Sequence, residues 1–167
     1  MCCTNSQHGH EAAVQSQKIG GRDRAKITGT FSGRVTAQTS FALADAANHS
    51  LGIVEVSGPE KTSDPLWNDA TITYWGTADL VDGSGPQRGY WINNRPSGDA
   101  DWGTFEGKIT TSAGQTSMAG TFKWTGGSGK FKGIKGGGKY KGHFPSAVEV
   151  VNNWKGEHQI AKAKAAK

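Results

Sequence analysis

Glu55 is a carboxylate placed inside an otherwise apolar stretch of the sequence. The stretch has the composition of a β-strand, in which alternate side chains point to opposite faces. If Leu51 and Ile53 face the protein interior, Glu55 shares their face, and burial raises the pKa of its carboxyl toward the range useful for general acid or base catalysis. If Val54 and Val56 face the interior instead, Glu55 is exposed to water. Glu55 is therefore a candidate catalytic residue, and the face of the strand on which its side chain lies determines whether it can take that role.

Polar groups on other predicted strands are candidates for binding a ligand. Tyr74, Tyr90 and Asn152 lie on strands that the pattern predicts to be half-buried. Their polar ends could orient a ligand in an apolar site, or they could complete the core through ordinary hydrogen bonds. The candidate ligand-binding residues also include four aromatic side chains, namely Phe105, Phe122, Trp124 and Trp154. The six tryptophans either line a cavity for a flat apolar ligand or fill the core.

Lysines are concentrated between residues 121 and 142, where aromatic residues alternate with them. Basic residues interleaved with aromatic residues are typical of surfaces that bind single-stranded nucleic acid. Alternation along a strand, however, places the lysines and the aromatic rings on opposite faces, so a solvated basic face is favoured. A basic surface for nucleic acid or another polyanion stays the alternative function, and such a face could also guide an anionic substrate to a cavity.

The glycine-rich segments do not match nucleotide-binding motifs. In a phosphate-binding loop that ends at Gly129-Lys130, Trp124 stands where the first glycine is required, and Phe131 stands where Ser or Thr must bind magnesium. A dinucleotide-binding loop fails at Lys132, which takes the place of its third glycine. The sequence also has no GxSxG nucleophile motif. We therefore interpret these glycines as turn residues and expect no cofactor.

Metal binding has only weak support in the sequence. Cys2 and Cys3 lie close to His8 and His10, but adjacent cysteines do not have the spacing of zinc ligands. Neighbouring cysteines also rarely pair, so no disulfide framework is expected. We predict no metal site, and we interpret residues 1–23 as a flexible polar tail.

Composition favours a single all-β domain. The chain has 167 residues, of which 25 are glycine and only 34% are hydrophobic. Glycine costs about 1 kcal/mol at each interior helical position, so this mixture suits short strands joined by turns. No stretch approaches the roughly 20 apolar residues of a membrane span. The N-terminus lacks the apolar core of a signal peptide, so a cytoplasmic location is the default expectation.

Alternating apolar and polar residues predict eight or nine strands between residues 24 and 161. The longest clean alternation covers residues 69–82, where Ile72, Tyr74 and Leu80 share one face. Short turns between successive strands favour a meander that closes into an eight-stranded antiparallel up-and-down β-barrel, because closure removes unpaired strand edges. Residues 58–69, which contain two prolines, predict a long loop at the barrel mouth. Residues 126–129 and 136–138 predict two tight turns, and residues 162–167 a Lys/Ala tail.

A series of short motifs in this order resembles a known group of proteins. The segment Asn48-His49-Ser50-Leu51-Gly52 precedes the strand with Glu55, and the segment 78–85 reads ADLVDGSG. Further along, Phe105-Glu106-Gly107 is followed by the segment 124–131, which reads WTGGSGKF. In this order the chain resembles the calycin-like barrels grouped with allene oxide cyclase and the dirigent proteins, over roughly residues 26–160.

The resemblance implies an eight-stranded antiparallel barrel with an apolar cavity. Some members of these groups guide the cyclisation or coupling of a reactive small molecule, whereas many have no assigned activity. The resemblance thus implies a small apolar or amphipathic ligand, and it leaves open whether the chain is an isomerase or cyclase, or only a binding protein. A homo-oligomer is a further possibility.

Overall fold

The computed structural model describes residues 24–160, which form one closed sheet. The predicted tails 1–23 and 162–167, with Cys2, Cys3, His8 and His10, lie outside the described residues. The eight strands are β1 (Ala25–Ala42), β2 (His49–Thr62), β3 (Thr71–Val81), β4 (Gly85–Asn94), β5 (Ala100–Ser112), β6 (Gln115–Gly127), β7 (Lys135–Ser146) and β8 (Glu149–Gln159).

Each strand pairs antiparallel with its neighbours in sequence, and β1 also pairs with β8. The prediction of a closed eight-stranded up-and-down barrel is therefore confirmed. Outside the strands, residues 24–160 contain only two short 3₁₀ helices, Pro65–Trp67 and Gly129–Phe131. No helix among these residues has the length and apolar character needed to span a bilayer.

The barrel interior follows from the alternation of side chains along each strand. In β3, Ile72, Tyr74 and Leu80 point inward, whereas Thr71 and Trp75 point to the outer surface. Aromatic rings fill much of this interior, in edge-to-face contacts such as Phe122 with Trp124. Such contacts are the preferred geometry of aromatic pairs, so the interior is specified by ring packing.

Glycines on the inner face make room for these rings. A Cβ atom at Gly29 would collide with the indole of Trp154, and one at Gly107 or Gly120 would collide with the Tyr140 hydroxyl. The rings therefore lie directly against the backbone of neighbouring strands. The high glycine content thus reflects ring packing within the strands in addition to turns.

The two ends of the barrel are closed in different ways. At one end β3–β4, β5–β6 and β7–β8 are joined by the tight connections 82–84, 113–114 and 147–148. At the other end the connections 63–70 and 128–134 each contain a 3₁₀ helix, and these helices insert Trp67 and Phe131 into the barrel. Both side chains are fully buried, with ring centroids 4.7 Å apart. This second end, which we call the plugged end, carries the polar cluster described below.

Two predictions about loops were wrong in detail. The predicted loop 58–69 begins later, because β2 continues through Pro59 to Thr62. Residues 65–67 then form the 3₁₀ helix that closes the plugged end of the barrel. The predicted turn at residues 136–138 lies inside β7, where the glycines pair with β6 and β8. The glycine cluster suggested a turn, but these residues form part of a strand that packs tightly between β6 and β8.

Candidate functional site: a cavity with an acidic end

The barrel encloses a cavity of about 90 Å³. Its walls are mainly aromatic and apolar, and a few polar side chains reach into it. The lining residues are Phe31, Glu60, Ile72, Tyr74, Gln87, Trp91, Asn93, Phe105, Met118, Phe122, Trp124, Tyr140, Asn152 and Trp154. An apolar cavity with a few convergent polar groups is the usual form of a small-molecule site.

Six of the seven residues that the sequence nominated for ligand binding line this cavity. They are Tyr74, Phe105, Phe122, Trp124, Asn152 and Trp154. The closed barrel brings them together from β3, β5, β6 and β8. Their contact with a ligand stays a prediction.

The seventh nominated residue, Tyr90, lies on the outer surface, so its placement in the cavity was wrong. The side chain of Tyr90 is 68% exposed, and its neighbour Trp91 points inward to line the cavity. Both residues are aromatic, and hydrophobicity alone therefore did not determine which one faces inward. The register between strands determines which of the two faces inward. Gly89 and Trp91 pair directly with Phe105 and Gly103 on the inner face of β5.

Glu55 also lies on the outer face, which rules out the interpretation in which it points into the barrel. Val56 is fully buried, and Ile53 is exposed. The Glu55 carboxylate accepts hydrogen bonds from Thr36 Oγ1 at 2.6 Å and from Trp75 Nε1 at 2.7 Å. These two donors lower the pKa of Glu55, so it is an ionised surface group.

The inward carboxylate on β2 is Glu60. This residue is only 4% exposed, so its carboxyl group has almost no contact with water. Burial, followed by the nearby charge of Asp101, raises the pKa of Glu60 to about 8, although Arg95 acts in the opposite direction. At neutral pH this group is therefore mostly a neutral carboxylic acid. A neutral acid at a cavity wall can donate a hydrogen bond or a proton to a bound molecule.

A network of polar groups surrounds Glu60 at the plugged end. Asn93 Nδ2 lies 3.2 Å from Glu60 Oε2 and 3.2 Å from Asp101 Oδ2. Asp101 also accepts hydrogen bonds from Arg95 Nη1 at 2.7 Å and from Trp124 Nε1 at 2.9 Å. Burial raises the pKa of Asp101, whereas the Arg95 guanidinium and the N–H donors oppose this shift. The network fixes the position of the Asn93 amide beside Glu60.

Two acceptor atoms at the cavity have no hydrogen-bond partner among residues 24–160. They are Oδ1 of Asn93 and Oδ1 of Asn152, both on lining residues. Buried polar atoms are almost always paired, so unpaired ones in a cavity indicate a place for a donor from outside residues 24–160. In this part of the chain, the carboxylates, histidines and cysteines form no cluster of three or more that could hold a metal ion.

Sequence reasoning missed Glu60, Asn93, Arg95 and Asp101 because it assigned them to loops or left them without a role. The signal for Glu60 was the parity of Val54 and Val56, which continues through Gly58. Pro59 obscured that signal, although a proline can occupy a strand position that donates no ladder hydrogen bond. For Arg95 and Asp101 no sequence signal was available, because their meeting depends on the closing of the barrel.

The lysines fall on the face that alternation predicts. Lys123, Lys139 and Lys141 are exposed, and the intervening Phe122 and Tyr140 are buried. The basic residues of this segment therefore do not contact the cavity. His158, which shares the inner face, is buried against Trp67 and Trp124.

Comparison with known proteins gives one finding on structure. No protein-family model matches the chain, and no curated protein matches it. Among solved structures, the chain is similar to the pterocarpan synthase dirigent protein GePTS1, with a TM-score of 0.47 and 13% identity, over 94% of this chain and 99% of that chain. That protein belongs to one of the two groups named from the sequence pattern. The barrel itself is established by the strand pairing of this chain.

Proposed function

We propose that the barrel binds a small amphipathic molecule in the cavity beside Glu60. The observation that carries this proposal is the combination of an aromatic cavity, a buried carboxylic acid and two unpaired acceptor atoms. An apolar interior without a role in binding gains nothing from such groups, because burying unpaired polar atoms costs stability.

The cavity volume limits the ligand to about the size of one ring. A buried water needs about 10–15 Å³ by a comparable measure, and drug-sized ligands occupy sites of about 300–1,000 Å³. A volume of about 90 Å³ therefore suits a molecule of several non-hydrogen atoms. A larger ligand would require the aromatic side chains of the wall to change rotamer.

The polar groups define which atoms the ligand should carry. Protonated Glu60 donates a hydrogen bond, so the ligand should present an acceptor such as a carbonyl or hydroxyl oxygen. Asn93 Oδ1 and Asn152 Oδ1 accept hydrogen bonds, so a hydroxyl donor would pair with either. A hydroxylated ring satisfies both requirements and fills the apolar remainder of the cavity.

A second candidate function, an isomerase or cyclase, is favoured by the raised pKa of Glu60. In such a reaction Glu60 would transfer its proton to an oxygen of the bound molecule and later recover one from it. Asn93 Nδ2, at 3.2 Å, would stabilise the carboxylate left behind. The rest of the catalysis would come from holding the molecule in one orientation.

Binding of p-cresol, with toluene as the matched molecule that lacks the hydroxyl, tests the proposed function. Changes in the indole and methyl NMR signals of the protein would report binding inside the barrel. We expect p-cresol to bind more tightly than toluene, and Asn152→Leu to weaken that preference because it removes one of the two acceptor atoms. Asn153→Leu, on the outer face of the same strand, is the control and should keep it. Equal binding of the two molecules, or no binding by either, would contradict the proposal.

A further inference from the structure

A second concave site lies on the outer surface of the barrel and is separate from the cavity. It is a groove of about 600 Å³ that crosses the outer faces of β2 to β6. We call it the outer groove. Its exposed side chains are Ile53, Trp75, Thr77, Arg88, Tyr90, Glu106, Thr121 and Lys123, and Thr104 is half-buried.

Two cross-strand rows of side chains form the floor of the outer groove. Strand pairing places Glu55, Trp75, Tyr90, Thr104 and Lys123 opposite one another in sequence across five strands. The second row lies two residues away on each strand and contains Ile53, Thr77, Arg88, Glu106 and Thr121. With strands about 4.8 Å apart, each row is about 19 Å long. The two rings thus stand toward the β2 end of the groove and Lys123 stands at the β6 end, whereas Arg88 lies in the middle, on the same strand as Tyr90.

The aromatic end of the groove is held in place while it remains exposed. Trp75 is 40% exposed, and its Nε1 donates a hydrogen bond to Glu55 at 2.7 Å. Glu55 is in turn fixed by Thr36 at 2.6 Å. The bond orients the indole and leaves part of its surface free beside Tyr90. A fixed aromatic surface loses little conformational entropy on binding, which is an advantage for recognition.

The basic end of the groove continues into a positively charged face. The second row extends from Thr121 to Lys139 and Lys155, which oppose each other directly on β7 and β8. Like charges in directly opposed positions destabilise a sheet, so this arrangement favours an anionic partner. Among the described residues, neither Arg88 nor Lys123 takes part in a salt bridge with the protein itself.

We propose that the outer groove binds an acidic oligosaccharide, with sugar rings stacked on Trp75 and Tyr90 and carboxylate groups paired with Arg88 and Lys123. The apolar face of a sugar ring complements an exposed aromatic ring, because both remove apolar surface from water. Thr77, Thr104, Thr121 and Glu106 supply acceptors for the sugar hydroxyls, and Thr104 and Thr121 also supply donors.

Single-stranded nucleic acid fits the same groove less well. Glu106 lies in the second row between Arg88 and Thr121 and pairs directly with both. The Glu106 carboxylate repels a phosphate and a sugar carboxylate alike, so the preference between the two ligands rests on the aromatic side chains. The two aromatic side chains also face each other across one strand pair, so they form one platform and do not follow a chain of successive bases.

Isothermal titration calorimetry with tetragalacturonate tests the proposal, with cellotetraose as the neutral sugar and the oligonucleotide dT12 as the competing polyanion. We expect wild-type protein to bind tetragalacturonate most tightly, and binding to weaken with added NaCl because exposed charges are screened. Trp75→Ala, Tyr90→Ala and Arg88→Gln should each weaken binding by about tenfold or more. Phe41→Ala and Arg34→Gln, exposed positions outside the groove, should leave binding unchanged.

The variants are surface substitutions, and circular dichroism can verify that they fold. Three results would overturn the proposal. They are no binding of tetragalacturonate, tighter binding of dT12 than of tetragalacturonate, or a loss of affinity in the Phe41→Ala control as large as in the groove variants. A self-associated wild-type protein that Tyr90→Ala converts to a monomer, measured by sedimentation velocity, would assign the groove to a second copy of the chain. Failure of this test would leave the interior cavity and its p-cresol test unaffected.

Discussion

The two glutamates of strand β2 differ in chemistry because they face opposite sides of one strand. Glu55 lies outside, where Thr36 and Trp75 donate hydrogen bonds to its carboxylate and lower its pKa. Glu60 lies inside, where burial raises its pKa to about 8. The same residue type therefore supplies an anion at the surface and a neutral acid in the interior.

The surroundings of the two glutamates differ in the same way. Around Glu55, polar groups remain in contact with water, and the aromatic Trp75 is partly exposed. Around Glu60, the polar groups are buried and form hydrogen bonds with one another instead of with water. Trp67 and Phe131 close this end of the barrel. Interactions in the interior should therefore have much larger effects on stability than matching interactions outside. The following predictions test this difference, from the largest expected effect to the smallest.

Replacing the buried tryptophan of the plugged end should have the largest effect on stability. Trp67 is 0% exposed, so Trp67→Ala removes a large packed side chain and should lower the free energy of unfolding by about 3–5 kcal/mol. Trp75→Ala, at the partly exposed outer position, should cost distinctly less. Urea denaturation followed by circular dichroism measures both values. Equal losses in the two variants would show that the plugged end contributes no more than the outer surface.

Breaking the buried ion pair should have an effect of similar or slightly smaller size. Arg95→Met leaves Asp101 buried without its cation, which costs about 3–5 kcal/mol in typical proteins. Arg34→Met, which breaks an exposed pair with Glu149, should change stability by less than about 1 kcal/mol. The same denaturation experiment provides the comparison. A neutral result for Arg95→Met would mean that Asp101 takes up a proton at no cost.

The pH dependence of stability should show the raised pKa of Glu60. Its pKa rises from an ordinary value of 4.5 to about 8 on folding, so the folded state binds the proton more tightly than the unfolded state. This contribution is fully present below pH 4.5 and is lost as pH rises toward 8, by up to about 1.4 kcal/mol per pH unit. Glu60→Gln carries no such proton and should remove this part of the slope. Stability curves of wild type and Glu60→Gln that run parallel from pH 5 to 8 would contradict the assignment.

Glu55 should show the smallest effect, with the opposite sign. Its pKa is lowered on folding, so its stabilising contribution is present above pH 4.5 and is lost as pH falls through the folded pKa. Glu55→Gln should therefore differ from wild type mainly above that range, with little dependence on pH between 6 and 8. Carboxyl NMR titration measures the pKa directly. A Glu55 midpoint above 4.5 would show that the hydrogen bonds from Thr36 and Trp75 do not hold in solution.

Local sequence features were enough to predict the barrel and six of the residues that line the cavity. The alternation in β3 and the parity of Phe122 and Trp124 follow from the two-residue period of a strand, which requires no knowledge of the partner strand. Short turns between strands then favoured the meander. The same logic correctly placed the lysines outside.

Local features failed where two adjacent residues were equally suited to the interior. Tyr90 and Trp91 are both aromatic, and only the pairing of β4 with β3 and β5 determines that Trp91 faces inward. At Pro59 the proline suggested a loop, whereas the strand continues and carries Glu60 into the cavity. In both cases the missing information was the register with neighbouring strands.

The sequence by itself determined the strand period, the closed all-β class and the side of the sheet on which most residues lie. Only the tertiary structure decided where the polar chemistry lies, because Glu60, Asn93, Arg95 and Asp101 meet when β2, β4, β5 and the connection between β4 and β5 come together beside Trp67. The physical reason is that alternation is a local property of one strand. Burial, and with it the pKa of a carboxyl, depends on side chains that distant strands bring together.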